Sequence, residues 1–283
     1  MRFAKVHGLG NDFLVVAPGA GPAPAEAGDL ARRICERHTG VGADGLILLA
    51  IERTEPAEAV FRVFNADGSE AELSGNGLRC AAAYLAWCGA LGSAKILFRT
   101  AAGDRPAEVL SSEGPRFEVR IGLGVPRLAA SDIPFDDGRR LDRVQDYPLF
   151  AVKKTFPVTC VSMGNPHCSL FFDEMPPRGE WRTIGAGIET HPFFPQRTNV
   201  EFIRVISRSE IEVRFWERGV GETLASGTGS AAAAASAMLK GLVDRTVTVR
   251  TALGSLKVEW PIGGELSQTG PAEVVFSGDY PAI

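Results

Sequence analysis

One layout occurs twice in the 283 residues: Glu70-Ala71-Glu72-Leu73-Ser74-Gly75-Asn76-Gly77 leads into an alanine-rich run, and Glu222-Thr223-Leu224-Ala225-Ser226-Gly227-Thr228-Gly229 leads into another. In each, a serine is followed by Gly-x-Gly and then by good helix formers. Backbone N–H groups at a helix start therefore stand beside a hydroxyl, an arrangement that favours an anion. Ser74 and Ser226 are 152 positions apart. Two further pairs keep nearly that spacing. Arg99-Thr100-Ala101-Ala102-Gly103 returns as Arg250-Thr251-Ala252-Leu253-Gly254, 151 apart, and Gly10-Asn11-Asp12-Phe13 is matched by Gly164-Asn165-Pro166-His167, 154 apart. Glycine-rich turns before helices resemble one another by chance, but here chance must also reproduce order and spacing three times. Such a chain is expected to fold as two halves of one plan. Two of its helix starts, facing each other, can hold one carboxylate between two hydroxyls.

The length suits two domains with sizeable interiors. With 45% apolar and 23% charged residues the chain has the composition of a soluble globular protein, and no segment is long and apolar enough to cross a bilayer, so no membrane role is expected. Its formal net charge is −4 with both signs interspersed. The basic stripe that a phosphate backbone requires is missing, which argues against a nucleic-acid partner. The amino-terminal residues 1–8 carry no apolar signal core, and a cytoplasmic location is expected. The cysteines Cys35, Cys80, Cys88, Cys160 and Cys168 are odd in number and lack paired C-x-x-C spacing, so they read as free thiols in the core and offer no zinc site.

Strand-like patterns over 2–6 and 12–17 flank the turn signal Gly8-Leu9-Gly10-Asn11 and predict an opening hairpin. Residues 18–28, rich in Pro, Gly and Ala, read as a loop, after which Asp29 is placed to cap a helix to about His38. Strands are expected at 46–51 and 60–64, a turn at 65–68, the first alanine-rich helix at 78–91, and short strands over 95–123 broken at Gly103, Gly114 and Gly122. Residues 126–148 show little periodicity, and the domain crossover is placed at their start. The second half repeats the scheme with a hairpin over 158–172, strands at 199–205 and 210–216, a helix at 230–242, and strands from Val247. The fold expected is α+β or mixed α/β, two pseudo-symmetric halves each with a mostly antiparallel sheet wrapped around one central helix. The halves are residues 1–124 and 125–271, and the final strand, 272–283, returns to the first.

At the two serine motifs the residue types form a chemical set. Gly75, Gly77, Gly227 and Gly229 permit close approach and positive φ, Asn76 and Thr228 add donors, and Ser74 and Ser226 each present a hydroxyl. A carboxylate is the natural ligand. With its α-carbon between the two side chains, one face can lose a proton while the other receives one, and fixed N–H donors stabilise the enediolate-like charge that develops. Neither Gly-x-Gly completes a dinucleotide fingerprint, so no nucleotide cofactor is expected.

These stretches resemble the diaminopimelate epimerase family over nearly the whole chain. The resemblance is carried by residues 5–13 (KVHGLGNDF), 65–72 (NADGSEAE), 75–80 (GNGLRC), 162–168 (SMGNPHC), 197–200 (RTNV) and 217–223 (ERGVGET). It implies two similar α/β halves and a site that works without metal, pyridoxal phosphate or nucleotide. The implied reaction interconverts LL- and meso-diaminopimelate for lysine and peptidoglycan precursors, in the cytoplasm and often as a homodimer. By the same resemblance, Asn11, Asn65, Asn165 and Asn199 would bind the distal amino and carboxylate groups of a diamino dicarboxylic acid. Glu217 and Arg218 would bind an ammonium and a carboxylate, and His167 would lend support.

One departure stands out. The family places two catalytic cysteines where this chain has Ser74 and Ser226. A thiol, with a reference pKa of roughly 8.5, reaches its anion near neutrality at a helix start, whereas an alkyl hydroxyl is a far weaker acid. Three explanations follow: engineered replacements that hold substrate without turnover, natural residues in an enzyme that is slow or acts on another amino acid by isomerisation or elimination, or a noncatalytic amino-acid-binding descendant. A second departure is Gly45 in Val41-Gly42-Ala43-Asp44-Gly45, where some relatives have glutamine.

Overall fold

The computed structural model describes residues 1–16, 26–54 and 56–281. The chain divides into two compact units, Met1–Gly122 with Thr269–Ile283, and Leu123–Gln268.

In the first unit β1 (Arg2–Gly8) and β2 (Asn11–Val16) form an antiparallel hairpin. Its two turn residues, Leu9 (φ 53°) and Gly10 (φ 79°), both have the positive φ that a tight hairpin turn needs. Helix α1 (Ala27–Ile34) follows and buries Ala27, Leu30, Ala31 and Ile34. Strand β3 (Gly45–Thr54) runs parallel to β2, and β4 (Ala57–Asn65) pairs antiparallel with β3. After the short β5 (Glu70–Ala71) comes α2 (Gly75–Trp87), and then β6 (Lys95–Thr100), which is parallel to β4. Strands β7 (Gly103–Glu113) and β8 (Arg116–Gly124) complete the antiparallel run.

The second unit repeats this order and these directions. Strand β9 (Tyr147–Ala151) leads into the hairpin β10 (Lys154–Ser162) and β11 (Pro166–Phe171). Helix α3 (Arg178–Glu189) precedes β12 (Asn199–Ser207), parallel to β11, and β13 (Glu210–Glu217), antiparallel to β12. Then come β14 (Gly221–Thr223), α4 (Gly227–Leu239), β15 (Thr246–Thr251) parallel to β13, and β16 (Gly254–Glu259). The last strand, β17 (Leu266–Asp279), pairs antiparallel with β1 from Arg2↔Asp279 to His7↔Glu273. The architecture is mixed α+β, with two parallel pairs per unit in otherwise antiparallel pairing.

Alanine runs explain the two long helices. Residues 75–85 of α2 are buried, as are nearly all residues of α4, and a helix apolar on every side belongs inside. Strands β1, β2, β3 and β7 pack on α2, and β10, β11, β12 and β13 on α4. Side chains this small leave no slack. Enlarging Ala82 or Ala232, both without exposure, would cost roughly 1–3 kcal/mol through overpacking. The repeated Arg-Thr-Ala-x-Gly motif has a structural cause. Thr100 Oγ1 donates to Gly103 O at 2.6 Å and Thr251 Oγ1 to Gly254 O at 3.0 Å, closing equivalent hairpin turns.

Several boundaries differ from the sequence expectation. Helix α1 begins after Glu26 and ends at Ile34, so Asp29 lies in its first turn, where it pairs with Arg32, and does not cap it. Helices α2 and α4 start three residues earlier than expected, because Gly75 and Gly227 are helical, and α2 stops at Trp87, short of the expected Leu91. Gly122 lies within β8 and breaks nothing. Helix α3 was not anticipated, since Gly179, Gly185 and Gly187 lower its helix propensity. Of the loop expected over 18–28, residues 18–25 lie outside the described residues, as do Ala17 and the end of the final strand at 282–283.

Candidate active site

Ser74 and Ser226 are the N-caps of α2 and α4, with nearly identical backbones of φ −138°, ψ 116° and φ −137°, ψ 125°. The Ser74 Oγ accepts from the Gly77 N–H at 3.0 Å, and the Ser226 Oγ from the Gly229 N–H at 3.2 Å. Capping takes one of the donors at each helix start. The N–H groups of Gly75 and Asn76, and of Gly227 and Thr228, have no carbonyl partner within the helix and add to the positive end of its dipole. None of the four glycines of these motifs adopts positive φ, and at Gly77 and Gly229 it is crowding that calls for glycine. A Cβ on Gly77 would come within 3.0 Å of Ser74 Cβ, and one on Gly229 within 2.9 Å of the Phe215 ring and 3.0 Å of Ser226 Cβ. Close seating of each cap excludes any side chain there.

Around Ser74 the first unit builds a polar chain with a fixed direction. The buried Arg79 guanidinium donates to Asn76 Oδ1; Asn76 Nδ2 donates to Asn11 Oδ1 at 3.0 Å, and Asn11 Nδ2 to Asp44 Oδ2 at 2.8 Å. An arginine can only donate and an ionised carboxylate can only accept, so the two ends set both amide orientations. Burial pulls Arg79 down to about 10, which still leaves it charged at neutral pH. Arg37 donates to both Asp12 and Asp44, and Lys5 lies 2.9 Å from Asp12. Burial alone would raise Asp12, but the hydrogen bonds and charges of Arg37 and Lys5 outweigh it and hold the carboxyl at about 2. Asn65 is exposed and stands apart from this chain, its Nδ2 donating to Ser69 Oγ at 2.9 Å within its own turn.

The surroundings of Ser226 differ. Its hydroxyl donates to Glu217 Oε2 at 3.2 Å, and Thr223 Oγ1 donates to Glu217 Oε1 at 2.6 Å. A carboxylate thus stands where it can take the serine proton. Asn199, buried at the start of β12, accepts the Arg218 N–H at 2.9 Å and donates to Pro166 O at 2.8 Å, so it shapes the Glu217-Arg218 segment from within. His167 has no exposure. Its Nδ1 lies 2.6 Å from Glu201 Oε1 and its Nε2 2.9 Å from Asn165 Oδ1, a buried line ending on the half-exposed Asn165. Burial raises Glu201, against the lowering influence of His167.

Ser74, Gly75, Asn76 and Asn11 therefore gather in one unit, and Ser226, Gly227, Thr228, Glu217, Arg218 and Asn199 in the other. Asp44, Arg79, Glu189 and Glu201 escaped the sequence reading; only Asp44, in the Gly-x-Gly-x-Asp turn, had a local signal. A side chain at Gly45 would meet Phe64 O at 2.7 Å and the Phe13 ring at 3.2 Å, so a residue with a Cβ requires the backbone to shift. Its register partner is Phe13, as that of Asn199 is His167, which makes position 45 the first unit's counterpart of Asn199. Among the described residues, no three His, Cys, Asp or Glu side chains gather as for a metal ion, and no helix is long and apolar enough to cross a membrane.

The diaminopimelate epimerase family model matches residues 3–128 and 159–275. A diaminopimelate epimerase of Pelotomaculum thermopropionicum is 46% identical over 282 residues, covering 99% of both chains, and one of Moorella thermoacetica is 44% identical with the same coverage. Among solved structures, a probable proline racemase from Agrobacterium radiobacter superposes with a TM-score of 0.71 at 17% identity over 100% of this chain and 93% of that one, which speaks to the fold alone. With its whole length matched at this identity, the chain belongs to the diaminopimelate epimerase family.

Proposed function

We propose that the protein binds diaminopimelate and epimerises it at one α-carbon by transfer between two hydroxyls, Ser226 and Ser74, as an isomerase of lysine and peptidoglycan precursor synthesis. The observation that carries this reading is the pair of equally built caps, each offering a hydroxyl beside helix-start N–H groups that have no carbonyl partner within the helix. In one direction Glu217 takes the Ser226 proton as the Ser226 oxygen removes the α-hydrogen, and the electron pair passes into the substrate carboxylate. The N–H groups of Gly75, Asn76, Gly227 and Thr228 stabilise that developing charge. Ser74 then gives its proton to the opposite face, inverting the carbon and becoming an alkoxide; before the next turnover Glu217 releases its proton to solvent and Ser74 takes one up. Arg218 and the directed amides of Asn11 and Asn76 supply donors to the carboxylates, and Asn65, Asn165 and Asn199, with His167 behind Asn165, complete the binding set. The same reading needs no cofactor, places the protein in the cytoplasm and pairs two copies as a homodimer.

A hydroxyl is a weak acid, and that single fact favours a second reading in which the chain binds the amino acid without turning it over. Nuclear magnetic resonance of diaminopimelate in deuterated water separates the two. Loss of the α-proton signal in proportion to protein concentration supports epimerisation. Saturable binding without exchange supports the second reading, and absence of binding sinks both.

A further inference from the structure

The Glu217-Arg218 segment ends β13, and its neighbours are gripped by a residue far from it in sequence. Glu189 is the last residue of α3 and only 7% exposed. Its Oε2 accepts from Trp216 Nε1 at 2.7 Å and its Oε1 from the Gly219 N–H at 2.8 Å, with Arg197 Nη1 at 3.5 Å. One carboxylate therefore holds the residue before Glu217 and the residue after Arg218. Asn199 adds its bond to the Arg218 N–H between them. Helix α3 lies directly on the indole: a Cβ on Gly185 would fall 2.8 Å from Trp216 Cβ and Cγ.

Locally, this is a poor place for a glutamate. A negative charge in the last turn of a helix opposes the dipole, and a buried carboxylate costs free energy unless its oxygens are satisfied. Arg197 offsets part of the charge, and the two shorter bonds come from donors on the flanks of the Glu217-Arg218 pair. A site where a local rule is broken for one long-range contact is where a functional constraint is expected. We infer that Glu189 is a positioning residue that holds the Glu217 carboxylate against the Ser226 hydroxyl. The inference rests on the proposed role of the Ser226–Glu217 pair and adds the residue that sets its geometry. Glutamine cannot replace it, since its amide would turn an N–H toward either Trp216 Nε1–H or the Gly219 N–H.

A thiol at position 226 reports this geometry without any need for turnover. In Ser226→Cys protein, the rate of iodoacetamide alkylation of the peptide holding position 226, followed by mass spectrometry across pH, gives the thiol titration. Adding Glu217→Gln removes the neighbouring negative charge and is expected to lower the midpoint by about one pH unit. Glu189→Gln is expected to shift it the same way, and Trp216→Phe, which loses one of the two grips but keeps a ring, by a smaller step. A Glu189 that merely stabilises the fold lowers the thermal midpoint and leaves the titration unmoved. Coincidence of the Glu189→Gln and Trp216→Phe titrations with that of Ser226→Cys alone, while Glu217→Gln shifts, overturns the inference. If Glu217→Gln does not shift either, the Ser226–Glu217 reading fails and the positioning role with it. Should Glu189→Gln not fold, Trp216→Phe decides.

Discussion

The caps at Ser74 and Ser226 share backbone angles, a capping bond to the third helical residue and a glycine that admits no side chain, yet they differ in what faces the hydroxyl. Ser226 donates to Glu217. The position matching Glu217 at the 152-residue offset is Asn65, an exposed amide engaged in its own turn, and among the described residues of its unit Ser74 has no carboxylate as an acceptor. The two units repeat the scaffold of the site and differ in its chemistry. Backbone geometry delivers each hydroxyl; proton affinity must come from neighbours, and only one cap carries that neighbour within its own unit.

The largest expected effect comes from removing the shared weakness of both caps. Ser74→Cys with Ser226→Cys replaces two poor acids by thiols that ionise near neutrality at a helix start, and epimerisation is expected to rise by several orders of magnitude. The rate of LL-to-meso conversion measures it; an unchanged rate would refute the account of the serines. Next, Glu217→Gln in the original chain removes the acceptor that, among the described residues of each unit, Ser226 has and Ser74 lacks. Exchange is expected to fall about 100-fold when it begins with the epimer whose α-hydrogen faces Ser226, and much less with the other. Equal losses from LL and meso substrate would show that the two caps draw on one common base.

Much of this contrast was legible in the residues, and what was not has a physical reason. The two octets, the hairpins and the alanine-rich helices announce themselves through short-range pattern, whereas the parallel pairs such as β2 with β3 and β11 with β12 join strands separated by a helix and carry no local mark. Helix α3 was hidden because Gly185 answers to Trp216 and not to local propensity. Its last residue, Glu189, contacts residues 27 and 30 positions away, a relation that no spacing rule marks. Arg79 likewise reads as a helix former after Gly-x-Gly, yet it ends a polar chain through Asn76 and Asn11 to Asp44. Candidate ligand-binding residues were visible as types; their orientation depends on partners brought together only by the fold.

The contrast extends to pH, beginning in the first unit. Asp12 sits at about 2 when folded against a reference of 3.8, because Arg37 and Lys5 outweigh its burial. A depressed carboxyl contributes stability above its unfolded value and loses it as pH falls from 3.8 toward 2; the contribution at neutral pH is about 2 kcal/mol. Asp12→Asn should therefore lower unfolding free energy by about that amount at pH 7 and by much less near pH 2. Urea midpoints at the two pH values read the difference, and an equal loss at both would place the effect in packing and not in charge.

In the second unit the sign reverses, with a smaller effect. Glu201 has 1% exposure on β12, and burial raises its carboxyl above the reference of 4.5 although His167 opposes the shift. A carboxyl whose folded value is raised holds its proton more tightly in the native state, so its contribution is greatest below 4.5 and declines as pH rises through the raised value. Glu201 Oε1 meets His167 Nδ1, while Oε2 has only the Ser169 hydroxyl beside it and no hydrogen bond of ordinary geometry among the described residues, so ionisation leaves one buried oxygen poorly satisfied. Glu201→Gln keeps the shape and removes the ionisation. It should flatten the stability profile between pH 4.5 and neutrality while leaving the loss caused by Asp12 below 3.8 in place, because none of the groups that act on Asp12, Lys5 and Arg37, is among those that act on Glu201. Calorimetric scans of Asp12→Asn, Glu201→Gln and the double variant test this independence. If Glu201→Gln also altered the limb below 3.8, the two carboxyls would be coupled, and the separation of acid sensitivity between the units would fail.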